Sequence, residues 1–158
     1  MITLIDDKLL DALCAEAAAN PRRRKNRNFH AADDHPAHRL LNAMQPDSYI
    51  PPHRHLDPDK DETFVVLRGL LALVLFDDEG GIVRSVKVGA GGAAIGVDIP
   101  HATWHTAVAL QADTVFLEAK AGPYLPFTAA EKAPWAPAEN TLEAAPYLAM
   151  VKALVTRL

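Results

Sequence analysis

The sequence predicts a mainly β protein: a jelly-roll barrel with one helix before it and one after it. Three observations carry this. From residue 39 to 127, about eight short apolar or alternating stretches recur at roughly 8–12-residue spacing. Turn chemistry separates them, as in Asp77-Asp78-Glu79-Gly80-Gly81 and Gly89-Ala90-Gly91-Gly92. The two flanking segments instead carry apolar residues at helical spacing. At 158 residues the chain is expected to form one domain, 1–158. It divides into a helical segment 1–20, a barrel 39–127, and a proline-rich loop with a final helix, 128–158.

Residues 6–19 read as the first helix. Asp6 or Asp7 can cap it, and Leu9, Leu10, Leu13, Cys14 and Ala17 form its apolar stripe. Asn20-Pro21 ends it. Cys14 lies on that stripe and reads as a small buried hydrophobe. Arg22-Arg23-Arg24-Lys25-Asn26-Arg27 holds five of the 16 basic residues. Such a run is a solvated face or linker, or else an anion site. His30 follows in Asn28-Phe29-His30 and reads as an exposed loop residue or a pocket residue. His35 and His38 read as surface.

The expected strands then follow in order. Arg39–Gln45 is one, closed by the turn Gln45-Pro46-Asp47-Ser48. A strand from Tyr49 carries His53 and His55. Glu62–Arg68 alternates, with Glu62, Phe64, Val66 and Arg68 on one side. Arg68 on that side needs an anionic partner, either an internal carboxylate or a substrate. Leu70–Phe76 is nearly continuous in apolar residues, and Ile82–Val88 returns from its hairpin. The glycines of Gly89–Gly92 lack the Lys-Ser/Thr and the helix of a phosphate loop. Ala94–Ile99, Ala107–Leu110 and Thr114–Lys120 complete the β region. Trp104 reads as core, and His101, just after Pro100, as exposed. Prolines 123, 126, 134 and 137 leave little regular structure in residues 122–137. Tyr124, Phe127 and Trp135 would pin that loop by burial, or form a lid. A last helix begins near Pro146, with Tyr147, Leu148, Val151, Leu154 and Val155 on its apolar face.

The chemistry concentrates at His53-Arg54-His55 and Glu62. Residues two apart on a strand project to the same face, roughly 6.6–7 Å apart along the chain. Two imidazoles so placed can converge on one ion at about 2.0–2.1 Å. If Leu56–Asp61 folds back, the Glu62 carboxylate reaches the same ion. His105, in Ile99-Pro100-His101-Ala102-Thr103-Trp104-His105, is the third candidate imidazole. Three histidines and a carboxylate suit one divalent transition metal: Fe, Mn, Ni, Co, Cu or Zn.

Composition narrows the function classes. The net charge of −4, with 23% charged residues, argues against nucleic-acid binding. No apolar run approaches 18 residues, so no membrane partner is expected. The N-terminal residues lack the basic and apolar regions of a signal peptide, and a lone cysteine forms no internal disulfide. A cytoplasmic location is the expectation. The helix faces suggest a homodimer.

His-x-His, then Glu62 and Gly69, then Pro100 and His105, resembles the pattern of the cupins. The likeness narrows further. Arg39-Leu40-Leu41-Asn42-Ala43-Met44-Gln45-Pro46, Pro52-His53-Arg54-His55, Pro58-Asp59-Lys60-Asp61-Glu62 and Phe64-Val65-Val66-Leu67-Arg68-Gly69 resemble the WbuC family of cupin-fold metalloproteins. Trp104-His105-Thr106 and Phe116-Leu117-Glu118-Ala119-Lys120-Ala121-Gly122-Pro123-Tyr124 add to the match, which covers roughly residues 22–127. The resemblance implies a double-stranded β-helix holding a divalent metal, in a family whose members often occur among genes for surface polysaccharide, including O-antigen. The chain departs from the usual cupin pattern in the long spacer Leu56–Asp61, in Ala102 where Gly is usual, and in Ala109 where Asn is common.

Three functions are compatible with this reading. The first is a metal-dependent enzyme on a small polar, sugar-linked substrate: an isomerase or epimerase, or an Fe(II) dioxygenase. There Arg68 and Lys60 would orient an anionic group, Tyr49 or His30 would move protons, and Phe64 would line the pocket. The second is a non-catalytic protein that binds or senses a sugar or carboxylate. The third is a scaffold with a structural metal.

Overall fold

Strand alternation sorts the chain into two antiparallel sheets in the computed structural model, which describes residues 2–157. Helix α1 (Asp7–Ala19) is followed by β1 (Arg24–Asn28), β2 (Ala37–Met44), β3 (Glu62–Arg68) and β4 (Leu70–Phe76). Then come β5 (Ile82–Gly89), β6 (Gly96–Ile99), β7 (His105–Ala109), β8 (Thr114–Ala121) and α2 (Ala144–Arg157). One sheet has the order β1-β2-β8-β3-β6 and the other β5-β4-β7. The chain crosses between the sheets after β3, β5, β6 and β7, which gives the jelly roll expected from the sequence.

Packing explains why some strands alternate and others do not. Between the sheets lie Met44, Phe64, Leu71, Leu73, Ile99, Ala107 and Phe116. The outer face of β4 is also covered: Ala72, Val74 and Phe76 pack against Leu148, Val151 and Val155 of α2. With both faces buried, Leu70–Phe76 has no polar position. On the opposite side, Leu10, Leu13, Cys14 and Ala17 of α1 pack on Leu41, Ala43 and Val115. Burial of each such Leu or Val contributes about 1.5–3 kcal/mol. Gly69 makes the tight corner from β3 to β4 at φ 77°, where a Cβ would stand 2.5 Å from Thr114 Oγ1.

The helix ends follow local chemistry. Asp6 caps α1, its Oδ1 accepting from Leu9 N at 3.0 Å. Helix α2 begins at Ala144, so Pro146 falls in its first turn, where a missing N–H costs nothing. In the proline-rich segment the regular structure is one short 3₁₀ turn, Ala129–Glu131.

Two sequence expectations are corrected. Tyr49–His55 is not a strand: among the described residues only His53 pairs, exchanging backbone hydrogen bonds with His105 at 3.0 and 2.9 Å. Pro51 and Pro52 have no N–H to give a ladder. Of the two readings of the basic run, solvated face holds and linker does not. Arg24–Asn28 forms an edge strand on β2, with its last four residues exposed. No helix is long and apolar enough to cross a membrane among the described residues.

Candidate metal centre

Three parts of the fold converge at one end of the barrel. Glu62 opens β3, between Lys120 of β8 and Ile99 of β6. His105 opens β7, and the His53 bridge holds the histidine-bearing loop against it. The long spacer Leu56–Asp61 is absorbed by a turn in which Lys60 N bonds Asp57 O, and by Asp61, which accepts from His101 N at 2.7 Å. Ala102 stands at φ 62°, the left-handed conformation that glycine takes without strain, and its N–H donates to His55 O. On the other side, Glu131 Oε1 accepts from Leu56 N at 3.1 Å, and Arg54 N donates to Glu131 O at 3.0 Å. The phenyl ring of Phe127 lies over the histidines, 4.6 Å from the His53 ring and 5.3 Å from that of His55.

The side chains of His53, His55 and Glu62 each offer a ligand atom within 4.8 Å of the others. His105 joins them: its Nε2 lies 3.0 Å from Glu62 Oε2, and His55 Nε2 lies 3.1 Å from Glu62 Oε1. These are not hydrogen bonds. The Nδ1 atoms of His53 and His105 face the carbonyls of Pro51 and Thr103 at 3.0 and 2.9 Å. A carbonyl only accepts, so Nδ1 carries a proton, and in the neutral ring Nε2 presents a lone pair. For His105, acceptor therefore faces carboxylate. His55 Nε2, His105 Nε2 and Glu62 Oε2 are buried without a hydrogen-bond partner. Such an arrangement calls for a cation between the groups. Two ligand atoms at right angles, each about 2.1 Å from an ion, stand about 3.0 Å apart, which fits these contacts.

The electrostatics agree. Burial, then the neighbouring His105, depress the His53 pKa to about 3, so this ring is neutral. Lys120 Nζ lies 2.8 Å from Glu62 Oε1 and 2.7 Å from Glu118 Oε1. Burial opposes its charge, and the two carboxylates outweigh burial and raise its pKa.

A cavity of about 130 Å³ opens beside these ligands. Met44, Ile50, Phe64 and Phe116 form its apolar wall; Arg24, Asn42, Glu118 and Lys120 form its polar one. Sequence reasoning missed that polar wall. A signal was present: Glu118 and Lys120 alternate with Val115, Leu117 and Ala119, and their register places them opposite Phe64 and Glu62. Charged residues on the inward side of a strand mark a site rather than a surface.

Of the predicted pocket residues, only Phe64 lines this cavity. Arg68 does not. A register shift after Val66 turns it outward, and it pairs with Asp11 at 2.6 Å and Asp7 at 2.9 Å on α1. Its partner is thus an internal carboxylate pair. Lys60 is buried elsewhere, its Nζ donating to Pro123 O at 2.8 Å. Tyr49 is core, its hydroxyl donating to Pro137 O at 2.8 Å, and burial raises its pKa. His30 is neither in the cavity nor exposed; it is buried in a stack with His38 at 3.9 Å. His38, read as surface, is buried there too. Cys14 and Trp104 are buried and His101 is exposed, as expected. Of the loop aromatics, Trp135 packs on the core, Tyr124 is exposed, and Phe127 covers the histidines.

The jelly roll has the architecture of the cupin fold, and this end-on group of histidines and glutamate is a site whose residues can hold a metal. The chain belongs to the family described as a domain of unknown function (DUF6016), which it matches over residues 5–88, a little over half its length. No curated protein matches the chain. A conserved protein of unknown function from Streptococcus pyogenes (SPY1581) shares the fold, with a TM-score of 0.52 at 12% identity, over 79% of this chain and 91% of that one. A cupin superfamily protein from Desulfitobacterium hafniense (DSY2733) gives a TM-score of 0.47 at 9% identity, over 62% and 76% of the two chains. KdgF from a Halomonas species gives 0.47 at 20% identity, over 65% and 81%.

Proposed function

We propose that the protein is a metal-dependent cupin enzyme acting on a small, oxygen-rich substrate. The observation that carries this is the set of buried polar atoms without a hydrogen-bond partner, His55 Nε2, His105 Nε2 and Glu62 Oε2, gathered around one carboxylate. His53, His55, Glu62 and His105 would hold one divalent transition metal, and four protein ligands leave room for substrate on a six-coordinate ion. The bound ion would supply Lewis acidity to a substrate oxygen. The chain does the rest. Lys120 orients Glu62, Phe127 shields the imidazoles from water, and the apolar wall fixes the carbon side of the substrate. The sequence resemblance to WbuC cupins supports a sugar-linked substrate and a setting in surface-polysaccharide synthesis.

A second reading, binding without turnover, has its own support. Glu62 and Glu118, the two carboxylates in the cavity wall, are already committed: Glu118 to Lys120 and Asn42, Glu62 to Lys120 and, in this reading, to the metal. That leaves no uncommitted carboxylate as a general base among the described lining residues.

Metal content by mass spectrometry on untagged protein tests the proposal, beside His53→Ala and His105→Ala. About one ion per chain, lost in both folded variants, is expected. A wild-type protein that neither contains nor takes up metal would sink it. Turnover by the loaded protein separates the two readings.

A further inference from the structure

We propose that the cavity beside the metal group binds a short hydroxycarboxylate, its carboxylate met by Arg24 and Lys120 and its hydroxyl by Asn42. This rests on the metal-centre reading and names the ligand of that site. Three features of the polar wall carry it.

The first is charge. On the cavity wall and directly behind it, Arg22, Arg24 and Lys120 balance Glu62, Glu118 and Glu139. A divalent ion at the histidines adds two positive charges in a largely buried site. Nothing on the wall answers them, so the ligand brings the negative charge.

The second is the set of free hydrogen-bonding positions. Lys120 has three N–H donors and spends two on Glu62 and Glu118. Arg24 Nη1 is held by Tyr49 O at 3.0 Å and by Glu139 at 2.8 Å, which anchors the side chain and leaves the rest of its fork for an anion. Asn42 Nδ2 donates to Glu118 Oε2 at 2.6 Å, which orients the amide and leaves Oδ1 to accept from a hydroxyl. Glu118 gives one oxygen to Lys120 and the other to Asn42, so it positions both donors rather than meeting the ligand.

The third is size. A cavity of about 130 Å³ holds about four waters, the bulk of a two- to three-carbon acid. The aromatic rings of Phe64 and Phe116 line its apolar side.

The test is calorimetric titration of metal-loaded wild-type protein with glycolate, glycolamide, acetate and inorganic phosphate. Glycolate is expected to bind at least tenfold tighter than the neutral glycolamide and tighter than acetate, which lacks the hydroxyl. Arg24→Gln, with its metal content and melting temperature checked, is expected to weaken glycolate about tenfold and glycolamide little. Equal binding of glycolate and glycolamide, or an Arg24→Gln protein that binds glycolate as the wild type does, overturns the assignment. Phosphate binding tighter than glycolate overturns it in favour of an oxyanion site. A wild-type protein that takes up no metal defeats the reading beneath it instead, and mass spectrometry on the same sample shows which has failed.

Discussion

Lys120 grips Glu62 from behind: its ammonium lies 2.8 Å from Oε1, while Oε2 of the same carboxylate faces His105 at 3.0 Å. Glu62 is 2% exposed, so its orientation is set by these contacts and not by solvent. Removing Lys120 leaves the buried carboxylate without its one charged donor. We expect Lys120→Met to keep the fold and to weaken metal binding by about 10–100-fold, the usual effect of losing an outer partner of a ligand. Competition against a chromophoric chelator measures this. Unchanged affinity would show that the histidines alone set the site.

Ala102 offers a prediction of the opposite sign. It holds φ 62°, where an L-residue is disfavoured by roughly 1–2 kcal/mol. The strain is offset by its N–H, which ties the turn to His55 O. Ala102→Gly keeps that bond and relieves the strain, at the cost of a more flexible unfolded chain. A net gain of about 1 kcal/mol in urea unfolding is the expectation, with metal affinity unchanged.

Where the sequence speaks and where it is silent follows from range. The candidate ligands stood out because each sits in a local pattern: His-x-His, Glu62 at a strand start, His105 after a proline turn. The helices and most strands were legible from period alone. The polar wall was not, because it depends on pairing across strands far apart in sequence. Arg24 reaches the cavity through its register with Met44, and Lys120 through its register with Glu62. Arg68 misled for a related reason. Alternation from Glu62 places it inward, and the irregularity after Val66 reverses that. The His30–His38 stack lies on residues whose local sequence reads as a polar turn, and only the packing of β2 buries it.

Arg68 therefore belongs to stability rather than to the site. It makes two short contacts to α1, with Asp7 and Asp11, but both carboxylates are largely exposed and screened. Arg68→Gln should cost about 1 kcal/mol or less, an effect that shrinks further in high salt. Its metal content and ligand affinity should match the wild type. A loss of either would place Arg68 back in the pocket.

Glu131 gives a prediction in pH. Its carboxylate accepts from Thr128 N at 2.9 Å, from the Thr128 hydroxyl at 2.8 Å and from Leu56 N at 3.1 Å. These donors, the Thr128 N–H foremost, lower its pKa from 4.5 to about 2. A depressed folded-state value means the carboxylate stabilises the fold fully above the unfolded value of 4.5. That contribution fades as pH falls through 4.5 and is gone below about 2. Glu131→Gln keeps a carbonyl acceptor but has no charge to titrate. Its melting temperature should lie below that of the wild type at pH 7, and the gap should narrow as the pH is lowered from 4.5 toward 2. The residue also joins the 3₁₀ turn to the loop bearing His53 and His55, so loosening it should speed metal loss at neutral pH. A gap in melting temperature that is constant with pH would mean that Glu131 acts by shape alone.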